Sequence, residues 1–412
     1  MPRLLSVPGT ALGLAALGLL ASCQARQDAP TTAAPPAPTA EQPAASPADS
    51  PGTWYRQYRG LLPGSPDSIT LQLQGWPRLT NDTETAGVAG SYAGADGRPF
   101  GLDGDYDARH APDSLILTDY NPEHMPAGQQ QGPVWRLHRQ GNELTGTVAG
   151  RPVRLRESRP LGALPLVAHY FQDSVAAFPG RADSPHAQLR LLALLPTGLA
   201  VGELRDNLLR HLRGDTLENQ PAPTLDKLWA EQRQQHAREY RQDAQQRQRD
   251  VPGDTTRLPG YALSYDAQTL MHVYWNQAPL LSVGYFRYSY SGGAHGGYST
   301  QVVSYDTRTG RALHYADIFR PEARPRLQAL LDAAARRQLG LAPTASLEGP
   351  LFVPRVPVTT NVFLTGGGAT FVYAPYEIAS FAQGEIRLFL PFAELQPLLQ
   401  PGLALAPDLA AY

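Results

Sequence analysis

The chain has 412 residues, a formal net charge of −2, 39 prolines, 38 glycines and a single cysteine. That length accommodates more than one domain, and the near-balanced charge lacks the basic surplus of a nucleic-acid binder, so no nucleic-acid partner is expected. One cysteine excludes a disulfide framework and a zinc–cysteine site.

The N-terminus carries Arg3, then an apolar run from Leu4 to Leu20 that ends in Leu20-Ala21-Ser22-Cys23. A short basic start, an apolar core and small residues before a cut mark a secretory signal. The run is short and contains Pro8, which disfavours an uncleaved membrane helix. Leu-Ala-Ser-Cys resembles the bacterial lipobox. The resemblance implies a signal peptide over 1–22, cleavage before Cys23 and acylation of its thiol (diacylglycerol, with palmitate-type chains). Two or more acyl chains anchor stably, at about 0.8 kcal/mol per buried CH₂. The chain is therefore expected to be lipid-anchored in the cell envelope, at the outer membrane, on its periplasmic or surface face. Residues 23–52 are rich in Pro, Ala, Thr and Ser and have no apolar period, so they read as a disordered stalk.

From residue 53 to 160 the pattern is short alternating runs broken by Gly, Asn and Asp. Ile69, Leu71 and Leu73 alternate in "SITLQLQGW", and Gln140-Gly141-Asn142 is a hairpin turn. Such spacing signals an antiparallel meander or small barrel. With its "GSY" and "GNELTGT" steps, the segment is similar to β-rich N-terminal segments of exported Bacteroidetes lipoproteins.

Residues 161–257 begin with two strand-like runs, "PLVAHYF" and "AQLRLLALLP". The period then lengthens. Leu204, Leu208 and Leu212 recur every fourth residue, with Gly214 as C-cap. A second helix starts after Pro223 with Thr224 as N-cap and Leu225, Trp229, His236 and Tyr240 on one face.

Residues 258–400 give a strand, a turn at Asn276-Gln277, a second strand, the loop "SYSGGAHGGYS" (289–299) and a third strand. A turn at 307–310 leads to a helix with Leu327, Leu330, Leu331 and Ala334 on one face and Gly340 at its end. Two strands flank Gly366-Gly367-Gly368, and a last strand and short helix precede a tail over 401–412. Strands and helices in blocks point to α+β: an antiparallel β-rich N-terminal module, then a C-terminal α+β domain with a mainly antiparallel sheet.

Tyr290-Ser291-Gly292-Gly293-Ala294-His295-Gly296 resembles the signature of the extracellular domain of RsiV-type anti-sigma factors, a domain also found beside polysaccharide deacetylase domains. Asp306, Thr309-Gly310, Asp317-Ile318-Phe319, Asn361, Phe363, Phe371, Tyr373, Pro375-Tyr376-Glu377-Ile378-Ala379 and Gly384 follow in the matching order. The resemblance implies the fold of the last third of the chain and a sensor that binds lysozyme. No membrane helix or anti-sigma segment accompanies it here, so the anti-sigma role does not carry over.

His295 is the sharpest candidate for chemistry. As a general base it would need a partner such as Ser289, Ser291 or Asp306. No nucleophile motif supports this, and glycines that permit a tight reversal give the simpler account. Asp103, Asp105, Asp107, His110 and Asp113 begin like a calcium loop, but Ala108 and Ser114 stand where Gly and Glu belong, so no metal is expected. Glu377 beside Tyr376 reads as the end of a strand. Gly366 to Gly368 lies between strands with no following lysine, which favours a hairpin over a phosphate cradle.

The expected function is a cell-envelope binding or sensor module for a lysozyme-like protein or a cell-wall glycan, without a cofactor. Tyr288, Tyr290, His295, Tyr298, Tyr376 and Glu377 are the candidate contacts. The alternatives are an envelope hydrolase using His295 and a structural scaffold lipoprotein.

Overall fold

In the computed structural model the described residues are 52–77, 85–125, 131–160, 162–197, 202–214, 220–250 and 263–403. The signal segment, Cys23 and the stalk lie outside them, as does the tail from 404.

Eight antiparallel strands close into a barrel: β1 (Trp54–Leu61), β2 (Ser68–Pro77), β3 (Thr85–Ala93), β4 (Pro99–Asp107), β5 (Ser114–Asp119), β6 (Val134–Gln140), β7 (Glu143–Val148) and β8 (Arg151–Glu157). β1 pairs with both β2 and β8, so no edge is left open. The alternating set Ile69, Leu71 and Leu73 points inward, with Trp135, Leu117 and Tyr58, and forms a packed interior. The turn expected at Gln140-Gly141-Asn142 joins β6 to β7, with Gln140 paired to Glu143 and Gly141 at φ +58°. The expected β-rich N-terminal module is thus an eight-stranded barrel.

A six-stranded sheet follows, in the order β14-β13-β12-β11-β10-β9. It contains β9 (Leu166–Ala176), β10 (His186–Pro196), β11 (Asp266–Gln277), β12 (Leu280–Tyr290), β13 (Gly297–Asp306) and β14 (Ala312–Leu313). All pairs are antiparallel except β10 with β11. That parallel pair is bridged by α1 (Gly202–Arg213) and α2 (Leu225–Asp250), as a parallel crossover requires. Gly214 ends α1 at φ +85°, and the Lys227 N–H donates to Thr224 Oγ1 at 3.2 Å, so both expected caps form. One expectation shifts. Asn276 and Gln277 are the last residues of β11, and the reversal falls on Ala278–Pro279. The Asn276 side chain is buried and exchanges hydrogen bonds with both backbone groups of Leu164. That role places it inside the sheet and not at a turn.

A three-stranded antiparallel sheet, β15 (Val362–Leu364), β16 (Gly368–Tyr373) and β17 (Ile386–Pro391), completes the fold. It packs on α4 (Arg324–Gln338), with the one-turn helices α3 (Tyr315–Ile318) and α5 (Phe392–Leu395) at its margins. Asn361 ties it to the larger sheet: its Nδ2 donates to Thr300 O, and its Oδ1 accepts the Val302 N–H. The chain is mostly β with a few helices, broadly the α+β class expected.

All described residues belong to one compact unit, Ser46–Tyr412. The six-stranded sheet separates two layers. On one face α1 and α2 cover Met271, Val283, Tyr285 and Val303. On the other, Trp76 and Ala89 of the barrel meet Tyr170, Leu192 and Leu270. On that same face Phe363 and Val372 of the small sheet meet Tyr274 and Val302.

The barrel docks through side-chain donors. β10 pairs with β11 only as far as Leu270, so the β11 backbone beyond that point lacks a strand on that side. Gln74 Nε2 donates to Met271 O at 2.5 Å, Ser91 Oγ to Val273 O at 3.0 Å and Gln57 Nε2 to Asn276 O at 3.0 Å. Each bond contributes about 1 kcal/mol and satisfies a carbonyl that would otherwise be buried unpaired.

Candidate functional site

Between the barrel and the small sheet a cleft of about 570 Å³ opens over the six-stranded sheet. Its size is typical of small-molecule sites. The period of two in each strand decides what lines it. β11 contributes Gln268, Leu270, His272 and Tyr274, and β12 contributes Phe286 and Tyr288. β13 contributes Tyr298 and Thr300, while β17 contributes Arg387 and Phe389, with Glu385 just before it. Trp76 from β2 and Arg98 from the β3–β4 loop form the barrel wall.

The far rim is a backbone contact. A Cβ on Gly367 would stand 1.6 Å from Asp96 O, and one on Gly97 would stand 2.2 Å from the Gly367 nitrogen. The glycine run 366–368 is therefore a hairpin turn against which the barrel loop lies backbone to backbone.

His272 lies half-buried on the cleft floor. Gln74 Nε2 spends one N–H on Met271 O, and its other reaches His272 Nδ1 at 2.8 Å. Nδ1 is thus an acceptor, and the ring is neutral with its proton on Nε2. Burial and the nearby Arg387 charge push the His272 pKa down to about 3. Trp76 and Phe286 meet the ring edge-on at 6.4 and 6.0 Å.

Arg387 and Glu385 form the charged centre. The Arg387 Nε and Nη2 both approach Glu385 Oε1 at 2.7 Å, and Nη2 also donates to the Tyr274 hydroxyl at 2.8 Å. The guanidinium lies 4.8 Å from the Tyr274 ring centre. Burial alone would lower the Arg387 pKa, but Tyr274 and Glu385 outweigh it and raise it. Both donors converge on one carboxylate oxygen. The other, Glu385 Oε2, is buried without a partner, as is the Thr370 hydroxyl in the same cleft.

The signature loop borders this cleft. The Tyr288 ring lies on Gly296, where a Cβ would stand 2.5 Å from it. Tyr298 links the floor to the mouth, 5.7 Å from Phe286 and 5.8 Å from Phe381. His295 is exposed and stacks on Phe381 at 4.2 Å, with Tyr376 at 6.4 Å. Tyr376 is 59% exposed and adopts φ +69°. A bulky residue held in that region signals stored strain, which clusters at binding and active sites.

Tyr288 and Tyr298 therefore line the cleft, and His295 and Tyr376 form an aromatic patch at its mouth. Tyr290 folds back on the loop, its hydroxyl donating to Gly293 O. Glu377 is exposed and accepts the Ala374 N–H within its turn. The three groups considered as partners for His295 are elsewhere. Among the described residues, its hydrogen bond is between Nδ1 and the neighbouring Gly296 carbonyl. Asp306 stands at the opposite end of the β12–β13 hairpin, about 30 Å away at 3.3 Å per residue, and binds Arg308. Ser291 offers its carbonyl to Arg247. Ser289 is exposed on the strand, beside Gly297.

Asp107 caps the turn after β4 by accepting the Arg109 and His110 N–H groups, and its carboxylate meets the His110 ring. Asp113 pairs with Arg139. Among the described residues no three His, Cys, Asp or Glu side chains gather as a metal site. A histidine–carboxylate pair occurs at His124 and the fully buried Asp119, 2.6 Å apart. The same carboxylate also accepts from the Tyr92 hydroxyl and the Asn121 N–H, so it latches the chain after β5.

Taken together, these features define a barrel fused to an α+β domain, with an aromatic cleft between them. Residues 316–393 match the family described as "Protein of unknown function (DUF3298)". The chain thus carries a DUF3298 domain at its C-terminal end. A DUF3298 family member from Bacteroides fragilis, known by crystal structure, is 21% identical, with a TM-score of 0.53 over 61% of this chain and 98% of its own. A DUF3298 family protein from Pseudomonas aeruginosa is 18% identical, with a TM-score of 0.40 over 57% of this chain and 95% of its own. The first shares the fold. Comparison with curated proteins finds no match.

Proposed function

We propose that this chain is a lipid-anchored cell-envelope protein that acts by binding, with the cleft between barrel and small sheet as its ligand site. The observation that carries the reading is the lining of that cleft. Aromatic faces surround a buried ion pair, and no nucleophile stands beside a base. The envelope location rests on the lipobox-like Leu20-Ala21-Ser22-Cys23 and the proline-rich stalk. A cell-wall glycan is the preferred ligand, because stacked rings with a few fixed polar groups suit a saccharide. A lysozyme-like protein is the second reading, favoured by the exposed patch of Tyr376, His295 and Phe381.

Calorimetry of the full chain against muropeptides and against lysozyme tests the reading. Absence of heat with both, for a folded chain, removes it. Labelled palmitate should enter the wild type and not Cys23→Ser; equal labelling refutes the anchor.

A further inference from the structure

The cleft holds two polar atoms that the protein leaves unpaired. Glu385 has a side chain only 8% exposed, and its Oε2 has no hydrogen-bond partner. Thr370 is 2% exposed, and its Oγ1 has none either. Both side chains line the same cavity. A buried carboxylate oxygen or hydroxyl without a partner is a cost that folding normally removes. Arg387 is close enough to serve Oε2, yet both of its contacts fall on Oε1. An occupant of the cleft is the remaining source of a partner for each atom.

The charges nearest these atoms are already matched. Asp266 holds Arg190 at 2.7 and 2.9 Å, Glu385 holds Arg387, and Arg98 holds Glu123. A phosphate or a carboxylate ligand finds no unpaired arginine among them. The walls are rings: Trp76, Tyr274, Phe286, Tyr288, Tyr298 and Phe389. The polar atoms sit on the face of the small sheet and not along its edge, where an extended peptide would pair. Spacing adds a length. Thr370 pairs with Phe389, and Glu385 lies four residues from Phe389 along the chain, about 13 Å at the strand rise. That span exceeds one sugar ring and suits two or three.

We infer that the cleft takes a short neutral oligosaccharide, whose hydroxyl or acetamido N–H groups donate to Glu385 Oε2 and bond with Thr370 Oγ1. The inference rests on the binding reading above and names the ligand class of that site. The rings contact the C–H faces of the sugar, and the two orphaned atoms fix its register. A ligand without donors leaves both atoms unpaired and is rejected for that reason.

The test uses the full chain and two variants, with triacetylchitotriose and cellotriose as saccharide probes and trialanine as the peptide probe. Thr370→Val removes the hydroxyl and keeps the shape. Glu385→Gln keeps an oxygen for Arg387, which turns the amide nitrogen to the position of Oε2, so a ligand donor meets a donor. The wild type should bind at least one saccharide, and each variant should weaken that binding at least tenfold in calorimetry. Thr370→Val should melt no lower than the wild type, because its hydroxyl has no protein partner to lose. Equal saccharide affinity in all three chains overturns the inference. So does a lower melting temperature for Thr370→Val, which would show the hydroxyl already satisfied within the fold. Failure of both saccharides on a folded wild type, or binding of trialanine alone, also overturns it. Lysozyme or muropeptide binding by that same preparation would leave the broader binding reading standing.

Discussion

His272 makes a prediction whose size follows from its surroundings. Gln74 donates to Nδ1, and burial beside Arg387 holds the folded pKa near 3. The unfolded value is about 6.5. Between these values the unfolded chain binds one proton more than the folded chain, so stability rises with pH across that window. The contribution is complete above about pH 6.5 and is lost as pH falls towards 3, at about 1.4 kcal/mol per unit. From pH 7 to pH 5 the loss from this residue is about 2 kcal/mol. His272→Phe keeps an aromatic ring between Trp76 and Phe286 and removes the proton site. Urea unfolding of both chains at pH 7, 6 and 5 isolates the term, because the other titrating groups are common to both. The wild type should lose about 2 kcal/mol more than the variant over that range. Parallel pH profiles would refute a neutral His272 and the hydrogen-bond argument that places its proton on Nε2.

Three further outcomes test the joints of the fold. Gly367→Ala puts a Cβ 1.6 Å from Asp96 O, a backbone clash that should cost about 3 kcal/mol and lower the melting temperature; an unchanged melt would show that the barrel loop does not rest there. Asn276→Ala removes the side-chain bonds to Leu164 and to the Tyr55 hydroxyl and should cost about 3 kcal/mol in denaturant unfolding. Tyr376→Asn suits φ +69° better than tyrosine, so stability should fall by no more than about 0.5 kcal/mol. If the mouth patch is the docking surface for lysozyme, the same variant should lose that binding in calorimetry.

Local chemistry was legible in the sequence; the partners of each segment were not. The four-residue leucine spacing of α1, its Gly214 cap and the Gly141 hairpin all appear where side-chain period and φ demand them. The alternation in β2 identified Ile69, Leu71 and Leu73 as interior. It did not reveal that Gln72, Gln74 and Trp76 on the opposite face are buried too. Their burial depends on β11, nearly two hundred residues later, whose open carbonyls need donors. The parallel pairing of β10 with β11 was hidden for the same reason. Asn276 was read as a turn because asparagine favours turns, whereas here its amide answers both backbone groups of Leu164.

The candidate site shows the same division. The loop 289–299 attracted attention through its glycines and histidine, and it forms one border of the cleft. Its histidine faces outward, and the loop's structural contribution is Gly296, which seats Tyr288. The groups at the centre came from unremarked strand residues. Glu385, Arg387 and Phe389 alternate with Ile386, Leu388 and Leu390, so one face of β17 is apolar and the other carries a charge pair and a ring. That pattern was the available signal. An interior-facing ion pair in a small sheet rarely adds stability over apolar residues of the same volume. Here the pair also leaves Glu385 Oε2 unmatched, which costs more. A scaffold lipoprotein would have no use for that arrangement, since Leu or Met at 385 and 387 would pack the same space at lower cost. Retaining a half-satisfied carboxylate, a neutral histidine and an unpaired threonine in one aromatic cleft fits a surface shaped for an occupant.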